Sequence, residues 1–331
     1  MLRSLMGALQ HKDHRRDWRR PVIAASVQAV AAPERAVIQS AVMDSTRWDR
    51  FTHRPGDIFV CTPPKCGTTW TQAIVASLLW PAGDVPGPVM DLAPWWDANF
   101  HDLDELVARL EAQPFRRSIK THLPVEAIPW FDTGYYIAVF RDGRDAFMSF
   151  VNHVASFRDD VRERLNAAAV AKGLETMPKY DGDLHGLYAR WIDFPLPLLM
   201  LRSWWERRHL RNVLLVHFND LKADLDGEMR RIAAFIGAEV DPRHWPDQVA
   251  RCTFEAMKRR AGEIGTFERN FVGGGESFLH KGTNGRWRDV LTADELARYE
   301  DAVAKFLSDE MAAWLEHGSL ASGKRPEPGR D

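Results

Sequence analysis

The chain is predicted to be an α/β protein, a central parallel sheet flanked by helices in three layers. Two patterns and one length argue for it. Short apolar runs alternate with longer helix-like stretches, the order that successive strand–helix–strand units produce. The first of these units passes from strand to helix through a turn built on Pro63, Pro64 and Gly67 with Lys65 inside it. At 331 residues the chain is long enough to bury a substantial core and still fold as one large domain.

The elements follow in order. Residues 58–61 form a short apolar strand and residues 69–80 a helix. Strands are expected again at 118–121 and 135–140, then a helix over 145–154. Residues 157–197, broken by Gly173, Pro178, Gly182 and Gly186, read as a long irregular connection, a lid or a wall of a binding site. A buried strand at 213–218 leads to a helix over 226–236 that Gly237 caps. Residues 293–315 carry the periodicity of one or two amphipathic helices packed outside the sheet. The folded body is assigned to residues 36–318, with a peripheral, charge-rich extension at 1–35 and a flexible tail at 319–331.

Composition narrows the function classes. A formal net charge of -2 argues against a nucleic-acid coat or a polybasic membrane binder, so any anion site must be local. No apolar run reaches the ~18 residues of a membrane span. Three cysteines, Cys61, Cys66 and Cys252, without zinc-like spacing, fit a reducing, cytoplasmic setting.

The turn Thr62-Pro63-Pro64-Lys65-Cys66-Gly67-Thr68-Thr69-Trp70 presents backbone N–H groups at the positive end of a helix, a full charge on Lys65 and hydroxyls on Thr68 and Thr69. A tetrahedral phosphate or sulfate satisfies such a set. The lysine precedes the glycine, so this is P-loop-like without being the usual nucleotide loop.

At this point the chain resembles the cytosolic sulfotransferases, whose Pro-Lys-x-Gly-Thr-Thr-Trp segment holds the 5′-phosphosulfate of 3′-phosphoadenosine 5′-phosphosulfate (PAPS). The resemblance extends over residues 42–292. It implies PAPS as co-substrate, gripped at the sulfate end by Lys65, Gly67, Thr68, Thr69, Trp70 and the backbone N–H of Cys66, which stands where the family has serine. It implies Arg141 and Ser149 on the 3′-phosphate, the guanidinium fork matching phosphate oxygens. His280-Lys281-Gly282 is similar to the family's Arg-Lys-Gly-x-x-Gly-x-Trp segment on the same phosphate, with a titrating histidine in place of a permanent cation. Thr253, Phe254 and Met257 resemble the segment that packs the adenine, and Phe218 falls where the family commonly has tyrosine.

Lys120-Thr121-His122-Leu123-Pro124 resembles the family's Lys-Thr-His-Leu-Pro segment, which implies His122 as the base that deprotonates a hydroxyl acceptor, with Lys65 and Lys120 stabilising the transferring group. No metal is expected, since a sulfuryl group carries less charge than a triphosphate and no carboxylate cluster stands ready for a cation. Arg144 is assigned to an ion pair with Asp142 or Asp145. The acceptor is expected to be a small apolar or aromatic molecule with a hydroxyl or amine, against Trp95, Trp96, Phe100, Trp130 and Phe131. Two other readings stand beside this one: a nucleotide-dependent kinase, and a non-catalytic protein that binds adenosine bisphosphate. Oligomeric state is open.

Overall fold

A computed structural model describes residues 35–239, 241–323 and 326 of the chain. Four strands form one sheet: β1 (Ile58–Cys61), β2 (Ser118–Thr121), β3 (Tyr135–Phe140) and β4 (Val213–His217). All are parallel, in the order β2-β1-β3-β4. Eight helices position the site: α1 (Thr68–Leu79), α2 (Gly143–Ser156), α3 (Asp159–Ala171), α4 (Leu184–Ile192), α5 (Leu196–Glu206), α6 (Leu225–Ile236), α7 (Ala293–Phe306) and α8 (Asp309–His317).

The strands lack polar alternation because both faces of the sheet are covered. Phe59, Ile119, Tyr136, Ala138 and Leu215 pack on one face against α5 and α8. Ile58, Val60, Ile137, Val139 and Leu214 pack on the other against α1 and α6. Successive side chains of one strand thus feed two cores, which is why each strand reads as an unbroken apolar run.

The register aligns the carboxyl ends. Cys61 lies opposite Thr121 and Ala138, and Phe140 opposite His217. Chain order reverses direction across the sheet at β1, so the crevice beyond β1 and β3 is where ligands settle in such sheets. The strands have the expected bounds except the last: Phe218 opens a short helix, Phe218–Ala223, whose start is capped by the His217 ring.

Two expectations are corrected. Residues 157–197 are mostly helical, because α3 opens on Asp159 and Asp160 and buries Val161, Leu165 and Ala169, one stripe at four-residue spacing. The longest irregular stretch left is residues 172–183, with Asn166 holding Met177 by two hydrogen bonds of 2.7 and 2.9 Å. Residues Ser319–Ser322, expected to open the tail, form a short helix with Ser319 buried and Asp220 accepting hydrogen bonds from the Ser319 and Leu320 N–H groups; residues 324, 325 and 327–331 of the expected tail lie outside the described residues. The extension assigned to residues 1–35 lies, apart from Arg35, outside the described residues. Among the described residues no helix is long and apolar enough to cross a membrane.

Candidate active site

Each strand ends at a residue singled out in the sequence: β1 at the Thr62 to Thr69 turn, β2 at His122, β3 at Arg141 and β4 at Phe218. Of the residues expected to bind the donor or act in catalysis, all except Cys66 line a single cavity of about 1390 Å³. Cys66 turns its thiol toward the Pro64 carbonyl, and burial pushes it up to about 12, so only its backbone is left to face an anion. All three cysteines are free thiols.

The turn after β1 is wound tightly. Gly67 has φ of 106°, and a β-carbon there would press on the Phe218 ring at 3.1 Å. Lys65 has φ of 67°, the left-handed region, the sole side-chain-bearing residue there among those described. No side chain caps the start of α1, so its first N–H groups are open to a ligand. The Thr62 and Thr68 hydroxyls share a hydrogen bond of 2.5 Å, which ties the turn to the helix it feeds.

The His122 imidazole is held by its back. Its Nδ1 lies 2.6 Å from the Thr62 carbonyl, an acceptor only, so Nδ1 carries the proton and Nε2 keeps its lone pair. The Trp95 ring meets it edge-on at 4.7 Å and also underlies the Lys120 ammonium at 4.4 Å. Burial above all, then the Lys120 and Lys65 charges, holds His122 well below the usual imidazole range. Lys65 is brought down to about 7 by burial and by the neighbouring Lys120 and Arg141 charges, and Lys120 to about 8 by burial. Neither lysine forms an ion pair with a carboxylate among the described residues. Two lysines, one buried and one half-buried, that form no ion pair among the described residues make a site that gains by accepting an anion, with the Asp97 carboxylate offsetting part of the Lys120 charge.

Arg141 rises from the end of β3 with its guanidinium 4.1 Å from the Phe218 ring centre. It donates to the Thr283 carbonyl at 3.1 Å and to Asn284 Oδ1 at 2.7 Å, so it carries the 280–286 turn on its back. Its Nε is buried without a partner, and so is Nδ1 of His280. Gly282, at φ of 62°, lies so close to the Phe254 ring that a β-carbon would stand 2.9 Å from it. Trp70 Nε1 donates to the Cys252 carbonyl at 2.7 Å, joining α1 to the segment that bears Thr253, Phe254 and Met257. Thr253 in turn caps the short helix Phe254–Arg259. Arg144 takes the ion-paired role expected of it, with Asp142 and Glu316, while Asp145 accepts from the Gly285 N–H at 2.6 Å.

The aromatic wall differs from expectation. Trp95 and Phe100 line the cavity, but Trp96 is buried in the core, Trp130 stacks on Tyr136 at 4.6 Å and Phe131 packs beside Phe59. Their places are taken by Phe150, Phe157, Phe271 and Phe278. Sequence reasoning also missed three polar residues. His153 lies 3.5 Å from the Lys65 ammonium; Asp145, Ser149 and His153 stand four residues apart on one face of α2, a stripe that was visible in the sequence. Asp97, fully buried, accepts from Trp95 Nε1 at 2.7 Å and so sets the ring against His122 and Lys120. Arg286 lines the cavity beside His280 and Lys281.

Comparison with known proteins bears on the family and the fold. The sulfotransferase domain model matches residues 55–314. A glycolipid sulfotransferase of Mycobacterium bovis is 32% identical over 311 residues, spanning 86% of this chain and 95% of the relative. Human sulfotransferase 1C2 is 26% identical over 281 residues, 81% of this chain and 89% of its own length. Retinol dehydratase, crystallised with androsterone and the inactive cofactor PAP, shares the fold with a TM-score of 0.58 at 21% identity, over 83% of this chain and 88% of that one. A domain match that runs from before β1 into α8, with a relative sharing nearly a third of its residues along almost its full length, makes this chain a member of the sulfotransferase family.

Proposed function

We propose that this sulfotransferase takes the sulfuryl group of PAPS and delivers it to a hydroxyl on an amphiphilic acceptor, with His122 as general base. The observation that carries this reading is the end of β2, where an imidazole with its Nδ1–H committed to Thr62 shares one cavity with two lysines that form no ion pair with a carboxylate among the described residues. PAPS has negative groups at two ends, and the residues suit both. The open start of α1 with Lys65, Thr68 and Thr69 fits the 5′-phosphosulfate; Arg141, Ser149, His280 and Lys281, with the orphaned Nε and Nδ1, fit the 3′-phosphate. Phe254, Met257, Trp70 and Phe218 supply flat and polarisable surface for the base between them.

The donor supplies a sulfuryl group, whose bond to the 5′-phosphate breaks as the acceptor oxygen bonds to sulfur. His122 Nε2 takes the proton that the hydroxyl releases, and the ring enters that role neutral because burial and two lysines disfavour its charged form. Lys65 and Lys120 neutralise charge on the leaving phosphate and the sulfuryl oxygens, at fixed positions that need little reorganisation. The scheme calls for no metal, because these ammonium groups and the helix start meet the charge.

The acceptor assignment rests on size and lining. A volume of about 1390 Å³ exceeds the ~300–1000 Å³ of a site for one small ligand, so donor and a sizeable acceptor fit together. Trp95, Phe100, Phe150, Phe157, Phe271 and Phe278 give the cavity a large aromatic surface, and the Mycobacterium bovis relative is by name a glycolipid sulfotransferase. A hydroxylated sugar head on an apolar body meets both conditions. The test is transfer of labelled sulfate from PAPS to a glycolipid, a steroid alcohol and a simple phenol. Transfer that PAP inhibits, strongest for the glycolipid, is expected. A preference for the phenol overturns the acceptor half, and failure to label any of a broad acceptor panel overturns the donor half.

A further inference from the structure

The turn that follows His280 contains one more cation than the sulfotransferase reading uses. Arg286 lines the same cavity as Arg141, Ser149, His280 and Lys281. It is half-buried, and no ion pair or ring contact engages it among the described residues, whereas its neighbour Arg288 lies over Trp287 at 4.9 Å and Arg144 over the same ring at 4.1 Å. Its backbone position is fixed from two sides. The preceding Gly285 N–H donates to Asp145 at 2.6 Å, and Asn284, two residues back, is clamped between Arg141 at 2.7 Å and Asn219 at 2.6 Å. An arginine that is anchored by its backbone and, among the described residues, left unpaired at its head in the same cavity as two orphaned nitrogen atoms lacks only an anion.

We propose that Arg286 is a binding residue for the 3′-phosphate of the donor, supplying from the far side of the turn the second guanidinium that pairs with Arg141. This rests on the donor reading above. His280 is then a hydrogen-bond partner through Nδ1 and not the cation of the site; burial first, and then the charges of Arg286, Lys281 and Lys258, keep it neutral. The geometry divides the labour: Arg141 reaches up from β3, Arg286 reaches down from the turn, and Lys281 adds charge without a fork.

The experiment compares binding of PAP with binding of adenosine 5′-monophosphate, which lacks the 3′-phosphate, by calorimetry on the full chain. Arg286→Ala is expected to weaken PAP by roughly 10- to 50-fold and to leave the monophosphate within about twofold, since a charge-assisted bond is lost to one ligand only. Arg286→Lys is expected to fall between, and it keeps the test open if the alanine variant folds poorly. Adding His280→Arg to Arg286→Ala is expected to recover most of the PAP affinity, because it returns a guanidinium to the same turn. Equal loss for both ligands, or no loss for either, overturns the role of Arg286. A wild-type chain that binds PAP no better than the monophosphate overturns the donor reading itself, and the proposal with it.

Discussion

The two walls of the cavity are made by different means. The wall below, from the turn after β1 to Arg141, consists of strand ends and tight turns cross-tied by short hydrogen bonds, such as Thr62 to His122 and Arg141 to Asn284. The wall above, α2 to α4 and the segment around Phe271, consists of side chains meeting ring to ring, His153 with Phe271 at 4.8 Å and Phe157 with Phe271 at 5.6 Å. One wall holds atoms in place through the backbone. The other fills space through contacts that a substitution can reshape at small cost. On the function proposed above, reaction chemistry falls to the first and choice of acceptor to the second.

That contrast can be broken most directly at His122. His122→Ala is expected to lower turnover by ~10²–10⁴-fold, the usual range for a positioned base, with PAP affinity unchanged within about twofold. Labelled-sulfate assays and calorimetry measure the two halves; near-normal turnover would remove the base and blur the distinction between the walls.

A smaller effect concerns protons. Lys65 and Lys120 sit near 7 and 8 in the free chain because burial disfavours their charge, and an anion restores it. Raising the pH through 7 and 8 therefore strips protons that the ligand requires. PAP affinity is expected to fall roughly 100-fold between pH 6.5 and 8.5, with uptake on the order of one proton per ligand at pH 8. Calorimetry in buffers of different ionisation enthalpy reads that uptake, and a heat independent of buffer would show that both lysines were charged beforehand. On the acid side, His122 stays neutral well below pH 6.5, so the fall in kcat/KM that its protonation causes is expected only below that value.

The smallest effect sharpens the contrast from the other wall. Phe100, which meets Trp95 at 5.6 Å and Phe157 at 6.1 Å, touches acceptor space without touching the basic groups. Phe100→Ala is expected to raise KM for the acceptor about five- to tenfold while donor affinity and the pH profile stay as they were. A matching loss in PAP affinity would mean that the two walls are one unit.

The same division explains what was legible in the sequence. Strand ends and their turns are local: a run such as Thr62 to Trp70 contains strand stop, positive φ, helix start and cation in one stretch, so its residues meet in space because they meet in sequence. The upper wall is assembled across distance. Phe271 and Phe278 reach it from the far end of the chain, and α3 was hidden because Gly173, Pro178 and Gly182 drew attention from the Val161, Leu165, Ala169 stripe. Asp97 gives no local signal, being a lone carboxylate in a tryptophan-rich loop whose role comes only from the bridge that Trp95 makes to the edge of β2. Trp130 and Phe131 were misplaced for the opposite reason, since proximity to a motif in sequence does not bring a ring to the same side of the sheet.

Lys65 joins an unfavourable backbone conformation, φ of 67°, to an ammonium group whose charge partial burial and the neighbouring Lys120 and Arg141 disfavour. Both features cost folding free energy, and glycine would relieve both. Lys65→Gly is therefore expected to melt slightly higher than the parent, by ~1–2 °C, while transferring almost no sulfate. Selection for robustness alone would drift away from this residue, and a sequence redesigned for heat resistance without regard to catalysis would discard it early.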